Sequence, residues 1–170
     1  MSFCIARSCV QPGHPQGPRS TPNIFRIVFV NTMECLLKGT RVKTESGYTP
    51  IESIQQGDYI VNQESKLVQV TETGKWEFRF DEPTNSPWVQ VYKLPKGIFS
   101  TDSPVYISKG HRIVLKNGGT ILPTNIGIQP ATKEEICDED GMYTLCHIRV
   151  EQSKQNHLVV NGNCIVESWC

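Results

Sequence analysis

Turn residues recurring at short intervals constrain this chain more than any other feature of it. Ser46-Gly47, Gly57-Asp58, Thr73-Gly74, Lys96-Gly97, Asn117-Gly118-Gly119, Asp140-Gly141 and Asn161-Gly162 cut the region after residue 40 into short pieces. Such pairs supply the positive φ values that tight hairpins demand. The pieces between them alternate apolar and polar side chains, the period of a half-buried strand. Strands are expected at 41–44, 49–54, 59–62, 66–73, 75–80, 88–92, 105–107, 111–115, 120–122, 143–150, 157–160 and 164–166. No window of helical length carries a period of 3.6, and 131–137 offers at most one or two turns. An all-β fold of many short strands and hairpins follows.

The first 34 residues have a different character. Pro12, Pro15, Pro18 and Pro22 with Gly13 and Gly17 mark an extended or flexible leader, in which only 24–30 could form a strand. The chain therefore divides into an N-terminal flank, 1–34, and one folded domain, 35–170. Met33 stands two residues before Cys35 and is an alternative start. Lys+Arg and Asp+Glu are both 17, so no general basic field exists to hold nucleic acid, and none is expected as a partner. The longest apolar run, 27–30, falls far short of the ~20 residues that span a bilayer. No charged start followed by an apolar block marks a secretory signal, which points to an intracellular protein. Seven cysteines, an odd number without a Cys-x-x-Cys pair, fit a mostly reduced chain with neither a zinc site nor a cofactor.

At the boundary between flank and domain stands Cys35-Leu36-Leu37-Lys38-Gly39-Thr40-Arg41-Val42. A thiol at the head of a folded domain is placed to attack the peptide bond just upstream, Glu34-Cys35. Exchanging an amide for a thioester is uphill and needs a strained link, a proton carrier for the nitrogen and polarisation of the carbonyl. An imidazole suits the carrier's role because it lends and recovers a proton near neutrality. His111 offers one, with the hydroxyl of Ser108 three residues upstream in a Ser-x-x-His arrangement.

Cys-x-x-x-Gly-Thr-x-Val, Ile51-Glu52-Ser53-Ile54, Gly57-Asp58-Tyr59-Ile60-Val61, Ser-x-x-His-Arg and the late Asn161-Gly162 together resemble the hedgehog/intein (Hint) domain over residues 35 to 170. The likeness is nearest to Hint variants that carry Ser-x-x-His-Arg and finish with Glu-Ser, here Glu167-Ser168-Trp169. The resemblance implies a compact Hint fold and a single-turnover, cysteine autoprotease-like cleavage. Cys35 would be the nucleophile of an N-to-S acyl shift, and His111 would polarise and protonate the amide. Ser108, where the family usually has Thr, would help bind it. His147 stands where many inteins carry Asp, and could serve as acid, base or orienter. His157 is a further possibility, displaced by one residue because this chain reads Asn156-His157 instead of His-Asn.

The chain ends Val166-Glu167-Ser168-Trp169-Cys170 without a His-Asn junction, so full splicing is not expected, nor is sterol transfer. The implied partners are the chain's own N-terminal flank and water or a small thiol to resolve the thioester. A duller reading stands beside this one: Cys35 packs as a small apolar group, His147 is a satisfied core histidine, His157 is structural or exposed, and the fold serves as a structural or binding module with its chemistry weakened. Trp76, Trp88 and Phe78 read as core or cross-strand pairs.

Overall fold

A computed structural model describes residues 34–81 and 89–169. Trp88 and the leader up to Met33 lie outside the described residues. Among those described, twelve strands form two antiparallel six-stranded sheets. The first sheet runs β4 (Tyr59–Val61), β5 (Leu67–Arg79), β10 (Met142–Val150), β1 (Leu36–Leu37), β7 (Val105–Ser108) and β6 (Val91–Leu94). The second runs β3 (Gly47–Pro50), β2 (Arg41–Thr44), β11 (Leu158–Val160), β12 (Cys164–Val166), β8 (Ile113–Val114) and β9 (Thr120–Ile121). The one α-helix among the described residues, α1, is a single turn at Lys133–Ile136, opened by a capping box between Thr132 and Glu135.

Alternation decides which side chains meet. Leu36, Ile107, Cys146 and Ile148 of the first sheet pack with Val42, Ile113, Leu158, Val160, Cys164 and Val166 of the second, forming the core between the sheets. The other face of the first sheet carries a smaller cluster of Cys35, Leu37, Val91, Tyr143 and Leu145, closed by Ala131 and by Ile136 of the helical turn. Cys35 and Cys146 thus lie on opposite faces of one sheet. Asn161 and Gly162 adopt φ of 39° and 100°, and with Asn163 they form the three-residue connection between β11 and β12, whose last ladder pair is Val160↔Cys164.

Three sequence expectations require correction. Thr73-Gly74 is not a turn: 66–73 and 75–80 form one strand, β5, paired along its length with β10. Residues 49–54 leave the strand conformation after Pro50 and finish as a 3-10 turn, Ile51–Ser53. His111 and Arg112 precede β8 instead of belonging to it. Sequence also offered no sign of β1, whose two residues pair with β10 on one side and whose Leu36 pairs with β7 on the other.

Ile107 is fully buried against the second sheet and pairs with Leu36. Ile107→Ala is expected to cost about 2–5 kcal/mol by removing transfer energy and leaving a cavity. Urea denaturation measures it, and a loss well under about 1 kcal/mol would mean this face is loosely packed.

Candidate active site

Because β1 lies between β7 and β10, its leading residue falls between two neighbours. One step beyond the pairs Leu36↔Ile107 and Leu36↔Cys146, the register sets Cys35 opposite Ser108 on one side and His147 on the other. Cys35 is 1% exposed and Ser108 is fully buried. The Cys35 amide N–H donates to Ser108 Oγ at 3.0 Å, and the Ser108 N–H donates to the Cys35 carbonyl at 2.9 Å. Both backbone polar groups of the candidate nucleophile are therefore held by one residue.

His111 enters through a turn. Its N–H donates to the Ser108 carbonyl at 3.0 Å, so serine and imidazole belong to one folded unit, as the three-residue spacing suggests. His111 is 2% exposed, and Nε2 lies 2.7 Å from the Glu167 carbonyl oxygen. Nδ1 meets no partner at hydrogen-bond geometry, although backbone contact with Cys35 is close enough to favour the charged ring. Burial outweighs both backbone contacts and pushes the imidazole pKa down. The ring is therefore neutral at pH 7.

The thiol is shifted the opposite way. Desolvation, with smaller contributions from Cys146 and Glu34, holds the Cys35 pKa far above that of a free cysteine. Little thiolate exists at rest.

His147, 5% exposed, sits on the same sheet face as Cys35. Its ring stacks on Trp76 at 4.6 Å between centroids and meets Trp169 at 4.3 Å. Directly across the ladder from His147 stands Gly74. A Cβ there would overlap the imidazole Cε1 and lie 2.7 Å from Nδ1, so glycine leaves the space the ring occupies. Trp76 pairs with Leu145, and Phe78 with Tyr143. The His157 N–H donates to Gln63 Oε1 at 2.8 Å, burial lowers the imidazole pKa, and Glu167 partly opposes the shift. Among the described residues no three His, Cys, Asp or Glu side chains converge as a metal site, and no helix is long and apolar enough to cross a membrane.

Sequence reasoning did not single out Gly74, Trp169 or the Glu167 carbonyl as parts of this site. A backbone carbonyl carries no residue signature. Gly74 and Trp169 become visible as parts of it only when β5 and the terminal segment are laid against β10.

Two measurements test this description. Gly74→Ala is expected to destabilise the domain by about 1–3 kcal/mol through overpacking and to displace the His147 ring signals in NMR. A neutral effect would show that the ring has room to spare. Depressed histidine pKa values also set a pH dependence. Between the unfolded value of about 6.5 and the lower folded values of His111 and His157, the unfolded chain binds more protons, so stability falls as pH falls. The urea midpoint is expected to drop between about pH 7.5 and about pH 5.5, and His111→Gln to shrink that drop.

The geometry has known counterparts. The Hint domain family model matches residues 34–168. No curated protein sequence matches the chain. Among solved structures, the bacterial intein-like domain from Clostridium thermocellum superposes with a TM-score of 0.53 at 15% identity, covering 81% of this chain and 100% of that one. A variant of the gp41-1 intein superposes with a TM-score of 0.52 at 16% identity, again over 81% and 100%. At such identities the likeness establishes the fold alone. With the family match over most of the chain, the two-sheet architecture and Cys35 at the start of the matched region, this chain belongs to the Hint domain family of self-processing domains.

Proposed function

We propose that this domain cleaves the Glu34-Cys35 peptide bond in a single turnover, through an N-to-S acyl shift and a thioester, without completing protein splicing. The observation that carries this reading is the grip on the Cys35 amide: its N–H donates to Ser108 Oγ at 3.0 Å, with His111 buried against the same backbone. An amide nitrogen held by a hydroxyl, with a neutral imidazole packed against the same residue's backbone, is arranged to receive a proton as its carbon leaves.

The steps follow from these groups. Cys35 Sγ adds to the Glu34 carbonyl carbon while its proton passes to His111 Nδ1. The tetrahedral centre then collapses, the C–N bond breaks and the proton moves on to the Cys35 nitrogen. A thioester joins the Glu34 acyl group to Cys35 Sγ, and Cys35 bears a free amine. Water attacking the thioester releases residues 1–34 as a carboxylic acid and restores the thiol; a small thiol would instead carry the flank away as a new thioester. Because burial keeps the thiol protonated, proton removal must accompany the attack instead of preceding it. His147 acts as the second imidazole, acid, base or orienter, from the same face of the sheet. His157, held by its backbone N–H to Gln63 and with its imidazole under the influence of Glu167, has a supporting place in this scheme.

The backbone at the bond does not itself supply strain of the left-handed kind: Glu34 and Cys35 are absent from the non-glycine residues with positive φ, which are Ser65, Phe99, Ser100, Gln152 and Asn161. In this reading proton transfer and carbonyl polarisation carry the weight of the reaction. A second reading is favoured by the burial of the thiol itself: a protonated, desolvated cysteine packed with Leu37, Val91 and Leu145 is also what a Hint fold retained as a structural or binding module would show.

Intact mass separates the two. In the full chain, hydroxylamine or a strong thiol is expected to yield a fragment beginning at Cys35, and Cys35→Ala to abolish it. His111→Ala is expected to slow release on the order of 100-fold or more, the range of a positioned general acid-base. A chain that keeps its full mass under every condition would leave the structural reading.

A further inference from the structure

Resting on the autoprocessing reading, we propose that the segment Glu167-Ser168-Trp169 is a positioning element that sets both imidazoles, fixing the tautomer of His111 through a backbone carbonyl and the ring orientation of His147 through an indole.

The Glu167 carbonyl oxygen can only accept a hydrogen bond, and it lies 2.7 Å from His111 Nε2. Nε2 therefore carries the ring proton, and the neutral ring leaves Nδ1 bare. That is the nitrogen without a partner at hydrogen-bond geometry, and in the proposed mechanism it is the one that takes the thiol proton. Reversing the tautomer would set a bare nitrogen against the carbonyl oxygen and block the base with a proton. The carbonyl is itself held in place. Glu167 N–H donates to the Arg112 carbonyl at 3.1 Å, and its carboxylate lies 4.0 Å from the Arg112 guanidinium, with His157 nearby.

Ser168 locks the segment down. It is fully buried, and its single hydroxyl proton is shared between the carbonyls of Ser153 at 3.1 Å and Asn156 at 3.0 Å. Trp169 then joins β10: its N–H donates to the Ile148 carbonyl at 3.0 Å, one residue past His147. The Trp169 indole meets the His147 ring at 4.3 Å, and the Arg149 guanidinium covers that indole at 4.3 Å while pairing with Glu72 at 3.3 Å. Between Trp76 and Trp169 the imidazole has little freedom to turn. None of these three residues is required to touch the thiol. They act through the histidines, which lie 56 and 22 positions before Glu167 and Trp169 respectively.

The test uses the full chain labelled with 15N-histidine. In the native protein, His111 is expected to show a proton on Nε2 and an imine-type Nδ1. Trp169→Ala is expected to move the His147 ring-proton resonances downfield as a ring current is lost, to slow thioester-dependent cleavage on the order of 100-fold, and to shift its pH profile. Trp169→Phe, which keeps an aromatic face, is expected to recover most of the rate and the original profile. A proton on Nδ1 of His111 in the native chain overturns the proposal. So does a folded Trp169→Ala protein whose His147 resonances, or whose cleavage rate and pH profile, match the native ones. If the native chain does not cleave at all, the autoprocessing reading fails on its own, while the His111 tautomer and the His147 response still decide whether the segment positions the two rings.

Discussion

Everything at the site depends on a strand of two residues being hydrogen-bonded on both sides. Leu36 and Leu37 are wedged between β7 and β10, with Leu36 turned to the core between the sheets and Leu37 to the outer cluster. Such a strand has almost no stability of its own, and its position is imposed by the ladders that flank it. Once there, it delivers Cys35 to the one place where Ser108 can hold both its N–H and its carbonyl. Cys35 is thus located by sheet register, not by a loop.

Burial then sets the chemistry. The same exclusion of water that raises the Cys35 pKa lowers that of His111, so burial favours the neutral form of each group. Moving the proton between them without forming a bond would leave two charges in a desolvated place, at a cost that neither group recovers. In the proposed mechanism, sulfur attack and proton transfer therefore have to coincide.

The second imidazole shows how a sheet can redirect a side chain. Near Thr71 a bulge breaks the register between β5 and β10, after which Val150 pairs with Val70 while Arg149 pairs with Glu72. The extra residue turns the strand over. Val68 and Val70 face the core between the sheets, whereas Gly74, Trp76 and Phe78, of the same parity, accompany the opposite face. Without that reversal Trp76 would not meet His147, and Gly74 would not open the space beneath it.

Much of this protein was legible in its residues. Alternation and turn pairs such as Asn161-Gly162 carry the all-β character because each acts within a few positions of chain. The spacing from Ser108 to His111 carries half of the candidate site, since a single turn joins them. The order of the short motifs carries the family. Other features were not legible. Thr73-Gly74 has the composition of a turn, yet the strand continues through it, because whether a glycine bends the chain or makes room depends on the partner that packs over it. Likewise, nothing in Leu36 and Leu37 marks them as a central strand, and nothing in Glu167 marks its carbonyl as the acceptor for His111. These are contacts between segments far apart in the chain, and only the tertiary structure brings them to hydrogen-bonding and packing distance.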